Sequence, residues 1–402
     1  MILSAALIQA ALVLSGCSGA EDSASAGEKA YEAGDYDRAV TLLCQAVSQD
    51  DDNPLYFAQL GLAYTAQGEY DDAETSFETA LELDAGNTAA LRGMGICLLR
   101  QGEAEEAAEY FTKALDGISD SSSDTAHDLK AWRAEAERSA GDPDAAASDL
   151  QQLADEGYQL PELYLTLGDV YLESGSAESA MEVWKLAVSA VSPDSSSGRS
   201  GDGSTSSGDS GGLDRYSVWL HMLQKLSDAS AGDLYSEVLQ EAENSTPETV
   251  EEQCGLGMIY LQDGDTEAAF RCLEQSYNEG YENAGFYLAM CYRSRGTADD
   301  YAEADRLYST MLLDQPDNAR LYAAYATSKI EQEDYAGAMI LITEGKEYAD
   351  EDEMLVLLWD ETVCEEKQRE YEAAAETLRE YLQLSPADSS AQEELAYLES
   401  RL

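Results

Sequence analysis

The sequence predicts an all-α chain built as a solenoid of paired helices, and three observations carry that prediction. Residues 54–87 read as two short amphipathic helices joined at a glycine. Leu60, Gly61 and Tyr64 share one face of the first, and Ala73, Phe77 and Ala80 share one face of the second at i, i+4 and i+7. The pattern returns every 34 residues without gaps: Gly61 corresponds to Gly27 and Gly95, Ala73 to Ala39 and Ala107, Phe77 to Leu43 and Phe111, and Ala80 to Ala46 and Ala114. Only 7 of 402 residues are proline, so long stretches carry no helix breaker.

Each residue type in the unit has a steric or conformational reason. Gly61 and Ala73 lie where two helices approach closely, and Phe77 fills the space beside them. Gly68 ends the first helix because it accepts the left-handed conformation of a C-terminal turn. An aromatic, then L-G-x-x-Y, then A-x-x-x-F-x-x-A within 34 residues resembles the tetratricopeptide repeat. The resemblance implies a right-handed α-solenoid of about ten helix-turn-helix repeats with a C-terminal capping helix, and it covers residues 20–402 apart from one linker.

Residues 1–17, MILSAALIQAALVLSGC, carry no charge and form an apolar run too short to span a bilayer, ending in Leu14-Ser15-Gly16-Cys17. This looks like a bacterial lipoprotein signal peptide with its lipobox, although no Lys or Arg precedes the apolar run. The resemblance implies removal of residues 1–16 and lipidation of the Cys17 thiol. It places the protein on the extracytoplasmic face of a bacterial membrane, held by acyl chains alone.

Repeats start at 20, 54 and 88. A polar insertion, Ser119 to Thr125, then shifts the phase by five, and a fourth repeat starts near 127 with Ala146, Leu150 and Leu153 on its second helix. Its first helix reads weakly, with Ala134 and Glu137 where Gly and Tyr are usual. The fifth, from Pro161, restores Leu167-Gly168 and Tyr171, then Ala180, Trp184 and Ala187. Residues 193–213 are rich in Ser, Gly and Asp, lack apolar periodicity, and read as a flexible linker of 21 residues that leaves the phase intact. The sixth repeat, from Tyr216, is degenerate, with Leu223 and Tyr235 where Gly and Ala are usual, which predicts wider packing. The seventh, from Val250, recovers Gly257, Tyr260, Ala269 and Leu273. The eighth carries Leu288, Ala289, Tyr292, Ala304 and Tyr308, with a turn between its helices read as about three residues longer. The ninth has Ala326, Ala338 and Ile342, and the tenth Trp359, Ala374, Leu378 and Tyr381. A last amphipathic helix, with Leu395, Leu398 and Leu402 on one face, is capped by Asp388 or Ser389. The organisation is therefore a signal peptide at 1–16, a five-repeat array at 17–192, the linker at 193–213 and a second array with its cap at 214–402.

Charge sets the partner class. With 23 basic and 81 acidic residues the chain carries −58, which repels nucleic-acid phosphates and anionic headgroups, so charged partners are expected to be basic. Catalysis needs convergent polar groups, and the motifs give none: no P-loop, no G-x-S-x-G and no H-E-x-x-H. The two histidines, His127 and His221, fall in different repeats and read as packing or surface residues. The chain is expected to be no enzyme, to hold no cofactor or metal, and to take no small-molecule substrate. Cys97, Cys291 and Cys364 share one first-helix position and read as packing thiols. Cys272 and Cys291 are the pair placed for a disulfide if the compartment is oxidising.

The resemblance also implies a concave docking face lined by first helices. It maps to Leu55, Ala58 and Leu62 in repeat two, and to Ala89, Arg92, Ile96, Leu99 and Arg100 in repeat three. A second candidate face holds Asn283, Phe286, Met290 and Arg293. Such a groove fits an extended peptide, or a helix with a carboxylate. The function expected is a lipid-anchored scaffold that binds a protein or peptide partner in its groove and organises a cell-envelope assembly. The alternative is an accessory subunit of an envelope enzyme or of an exopolysaccharide export system.

Overall fold

The computed structural model describes residues 18–158, 160–191 and 213–401. The segment 1–17, with Cys17, and residues 193–212 of the expected linker lie outside the described residues. The chain divides into two compact units, Met1–Gly211 and Gly212–Leu402. The described residues form 21 α-helices and no strand.

The first unit holds five helix pairs: α1 (Ser18–Glu32) with α2 (Tyr36–Gln49), α3 (Pro54–Gln67) with α4 (Tyr70–Leu83), α5 (Thr88–Arg100) with α6 (Ala104–Asp116), α7 (Asp124–Ser139) with α8 (Pro143–Asp155), and α9 (Pro161–Glu173) with α10 (Ala177–Ala190). The second holds five more: α11 (Arg215–Asp228) with α12 (Gly232–Asn244), α13 (Val250–Asp263) with α14 (Thr266–Asn278), α15 (Ala284–Arg295) with α16 (Ala298–Asp314), α17 (Ala319–Glu331) with α18 (Tyr335–Gly345), and α19 (Glu351–Gln368) with α20 (Tyr371–Leu384). The closing helix is α21 (Ser389–Glu399). Within each unit consecutive helices pack on one another, and neighbouring first helices such as α3 and α5 also touch. Each unit is thus a solenoid of helix pairs, as the sequence predicts.

The local causes are those written into the repeat. Asn53 and Asn87 start α3 and α5 by accepting from the Leu55 and Ala90 amides at 3.1 and 2.9 Å. Gly68 ends α3 at φ 79°. Ala73, Phe77 and Ala80 are completely buried, and a Cβ on Gly61 would stand 2.6 Å from the Phe77 ring. The glycine is therefore the space that the phenylalanine of the same repeat occupies. Gly168 repeats the device more tightly: a Cβ there would stand 2.2 Å from Trp184, whose indole N–H donates to the Leu165 carbonyl at 3.2 Å.

Three details differ from the sequence reading. Asp124 and Thr125, read as insertion, belong to α7, because the Ser123 hydroxyl caps at the Ala126 amide and starts the helix early. That helix is not weak: Ala126, Leu129, Ala134 and Ala136 are all buried. The residues that lengthen repeat eight do not lengthen its turn. Thr297 caps at the Asp300 amide directly after Gly296, and the extra length extends α16 to 17 residues. The expected cap of the last helix is Asp388, which accepts from the Ser390 and Ala391 amides.

Candidate functional site

Residues of four consecutive repeats in the first unit line a groove of about 710 Å³. Its floor is Leu62 of α3 and Ile96 of α5, one repeat apart in sequence, half-buried and packed on the core beneath. One rim is aromatic: Tyr31 near the end of α1, and Tyr36 and Tyr70 at the starts of α2 and α4. Tyr31 and Tyr36 lie 5.5 Å apart between ring centres and each is 37% exposed. The far side is Trp132 of α7, stacked on the buried Phe111 at 6.3 Å. The Arg92 guanidinium lies 5.8 Å from the same indole. Arg92 is itself held by Asp128, which accepts from Nε at 2.5 Å and from Nη2 at 3.2 Å. Arg100, at the end of α5, is exposed and makes no ion pair among the described residues.

Four of the eight groove residues expected in this unit come together here, Leu62, Arg92, Ile96 and Arg100, while Ala58 is completely buried and Ala89 packs against the core. Leu55 is exposed but does not line the groove, and Leu99 packs against the core. The sequence reading missed the aromatic contributors. Tyr36 and Tyr70 are one repeat apart, and that spacing was the available signal.

In the second unit Phe286 and Arg293 already have partners, and Asn283 is exposed. Phe286 meets Tyr287 and Tyr308 edge-on at 5.3 and 6.2 Å, and the Arg320 guanidinium lies 4.8 Å from its ring centre. Arg293 Nε is 3.2 Å from Glu331, and Met290 is half-buried. Burial raises the Glu331 pKa, against the pull of Arg293, and burial raises Asp360 to about 6 although Thr327 donates to it at 2.8 Å.

The remaining buried polar groups tie helices together. Lys130 donates to both oxygens of Glu156 at 2.8 Å, and His127 Nε2 sits 3.1 Å from the same carboxylate. Arg133 grips Asp149 with two bonds of 2.6 and 2.7 Å. Glu137, close to that pair, is raised to about 7 by burial and by Asp149, with Arg133 opposing. Burial pushes the Cys254, Cys291 and Cys364 thiols up to about 12, so none is a thiolate nucleophile near neutrality. Cys272 and Cys291 are both free thiols. Among the described residues no group of three His, Cys, Asp or Glu is placed to hold a metal, and no helix is long and apolar enough to cross a membrane.

Stacked helix pairs tied together in this way define a helical-repeat protein. More particularly, tetratricopeptide repeat models match residues 25–87, 58–123 and 133–195, and a further one matches 253–278, so the chain carries tetratricopeptide repeats. No curated protein matches it. Solved structures similar to it include PilW, a type IV pilus biogenesis factor, at 17% identity over 59% of this chain and 98% of that one, TM-score 0.45. PilF of Pseudomonas aeruginosa is similar at 16% identity over 58% and 95%, TM-score 0.42. A tetratricopeptide repeat protein of Parabacteroides merdae is similar at 15% identity over 68% and 99%, TM-score 0.42.

Proposed function

We propose that the protein is a binding scaffold without chemistry of its own, anchored through a lipidated Cys17 to the outer side of a bacterial membrane. The first repeat unit docks a segment of a protein partner. The 193–213 stretch serves as a linker to the second unit, which extends the scaffold within a cell-envelope assembly. The observation that carries the reading is the groove, where Leu62, Ile96, Trp132 and three tyrosines stay open to solvent in a surface otherwise dominated by carboxylates. Aromatic side chains supply contact area with little rotamer entropy to lose, as a docking face requires.

A photo-crosslinking residue placed at Gln67, inside the groove, tests this on intact cells against the same residue at Glu78, exposed on α4. A discrete adduct from Gln67 alone, lost in a Tyr31→Ser/Tyr36→Ser variant of unchanged helicity, is the expected outcome. Equal adducts at both sites, or none at Gln67, sink the groove. In the same cells Cys17→Ser should release the protein from the membrane fraction. Retention would refute the anchor and leave the groove untouched.

A further inference from the structure

Resting on that groove reading, we infer that its occupant is an extended internal peptide segment that places an Asp or Glu side chain against Arg100, beside apolar or aromatic residues seated on Tyr36 and Tyr70. The chain has 81 acidic residues against 23 basic, yet none of the groove's lining residues is acidic and two are arginines. The two arginines are not equivalent. Arg92 is satisfied: Asp128 takes two of its donors and Trp132 lies within cation–π range. Arg100 has the same five-donor fork and no carboxylate among the described residues to receive it. The groove's residual charge is therefore one open guanidinium at its rim. The bond between Arg92 and Asp128 shows the form such a contact takes, a planar two-oxygen grip.

The groove's extent sets the length and the mode. Its lining comes from α1, α3, α5 and α7, four first helices in series, with the starts of α2 and α4 between them. At about 9 Å between packed helix axes this is a run of roughly 27 Å, which about eight extended residues cover. A channel crossing four repeats suits a chain that passes through. The carboxylate is accordingly a side chain, and the chain terminus lies beyond the groove. The overall charge of −58 favours basic flanks on the same partner, so the segment is acidic at one point and basic around it.

Fluorescence anisotropy with the full-length protein tests the assignment. The probes are labelled, end-blocked peptides of about eight residues with a Lys near each end and two Phe around a central Glu, Gln or Lys. The expected result at about 0.15 M salt is that the Glu probe binds about fivefold more tightly than the Gln probe, and the Lys probe least. Arg100→Gln should erase the preference for Glu, and Arg100→Glu should turn it toward Lys. Because Arg100 is exposed, helicity should not move in either variant, and the thermal midpoint should fall only slightly in Arg100→Glu, which sets a negative charge at the end of α5. Equal binding of Glu and Gln probes, a preference that survives both variants, or no binding of the Glu probe overturns the carboxylate assignment. A carboxyl-terminal Glu probe with a free end binding better than the end-blocked one overturns the internal mode. These failures differ from failure of the groove, which shows as loss of the Gln67 adduct and leaves the probes irrelevant.

Discussion

The ten intra-repeat turns share one backbone and are made from different residues in the two units. In the first, the residue that closes the turn is Gly34, Gly68, Gly102, Gly141 and Gly175. In the second it is Ser230, Gly264, Gly296, Glu333 and Arg369, and all ten have φ between +56° and +88°. Three side chains thus stand where the left-handed conformation strains their Cβ, by about 1 kcal/mol each. The units differ again at the small position of the first helix. Repeat five needs Gly168 against Trp184, whereas repeat six fills the corresponding place with Leu223, which is completely buried. The repeat is therefore a geometric rule that several packings satisfy. The first unit keeps glycine at every such turn, while the second keeps the backbone and varies the residue.

The sharpest way to break this comparison is to exchange the fillings. Leu223→Gly, which imports the residue of the first unit, should cost the second unit about 4 kcal/mol in urea unfolding, through a cavity plus helix propensity. Gly168→Ala should cost the first about 2 kcal/mol, because the new methyl displaces the indole and breaks its bond to Leu165. If Leu223→Gly were neutral, repeat six would have collapsed to the consensus packing and the two fillings would be interchangeable.

Smaller effects sharpen the turn comparison. Ser230→Gly, Glu333→Gly and Arg369→Gly should each raise the stability of the second unit by up to about 1 kcal/mol, and Gly68→Ala should lower that of the first by a similar amount. The opposite sign in either unit would show that side-chain contacts, and not φ, decide these positions.

Last comes the pH effect of Glu137 in the first unit. Folding raises Glu137 from 4.5 to about 7, so the protonated form is the one the fold favours. The stability this provides is complete below the unfolded pKa and is lost as pH rises through about 7. The first unit should therefore weaken between about pH 4.5 and 7 relative to a Glu137→Gln variant, by on the order of 1 kcal/mol, measured as the difference between their thermal midpoints across that range.

Much of the fold was legible because the repeat states its packing in residue sizes: Gly61 beside Phe77, Ala73 where the helices touch, and Gly68 where φ must be positive. Less legible was anything decided by a capping hydroxyl. Ser123 and Thr297 each moved a helix start by placing an oxygen over amides three residues on, and the apolar periodicity does not report that. The groove was half legible. Its floor follows from first-helix positions, but Tyr36 and Tyr70 stand at the starts of second helices, outside the positions expected to face a partner. Arg92 looked available until the fold brought Asp128 to it from the next repeat.

The buried thiols have a practical consequence for handling the molecule. Cys97, Cys254, Cys272, Cys291 and Cys364 are all buried, and desolvation holds each above the ordinary range. Among the described residues only Cys44, half-buried with its sulfur 3.8 Å from the Tyr64 hydroxyl, is within reach of a water-soluble maleimide. A folded chain with Cys17 replaced should therefore accept one dye at one place, and a second equivalent of label would report that a repeat has opened.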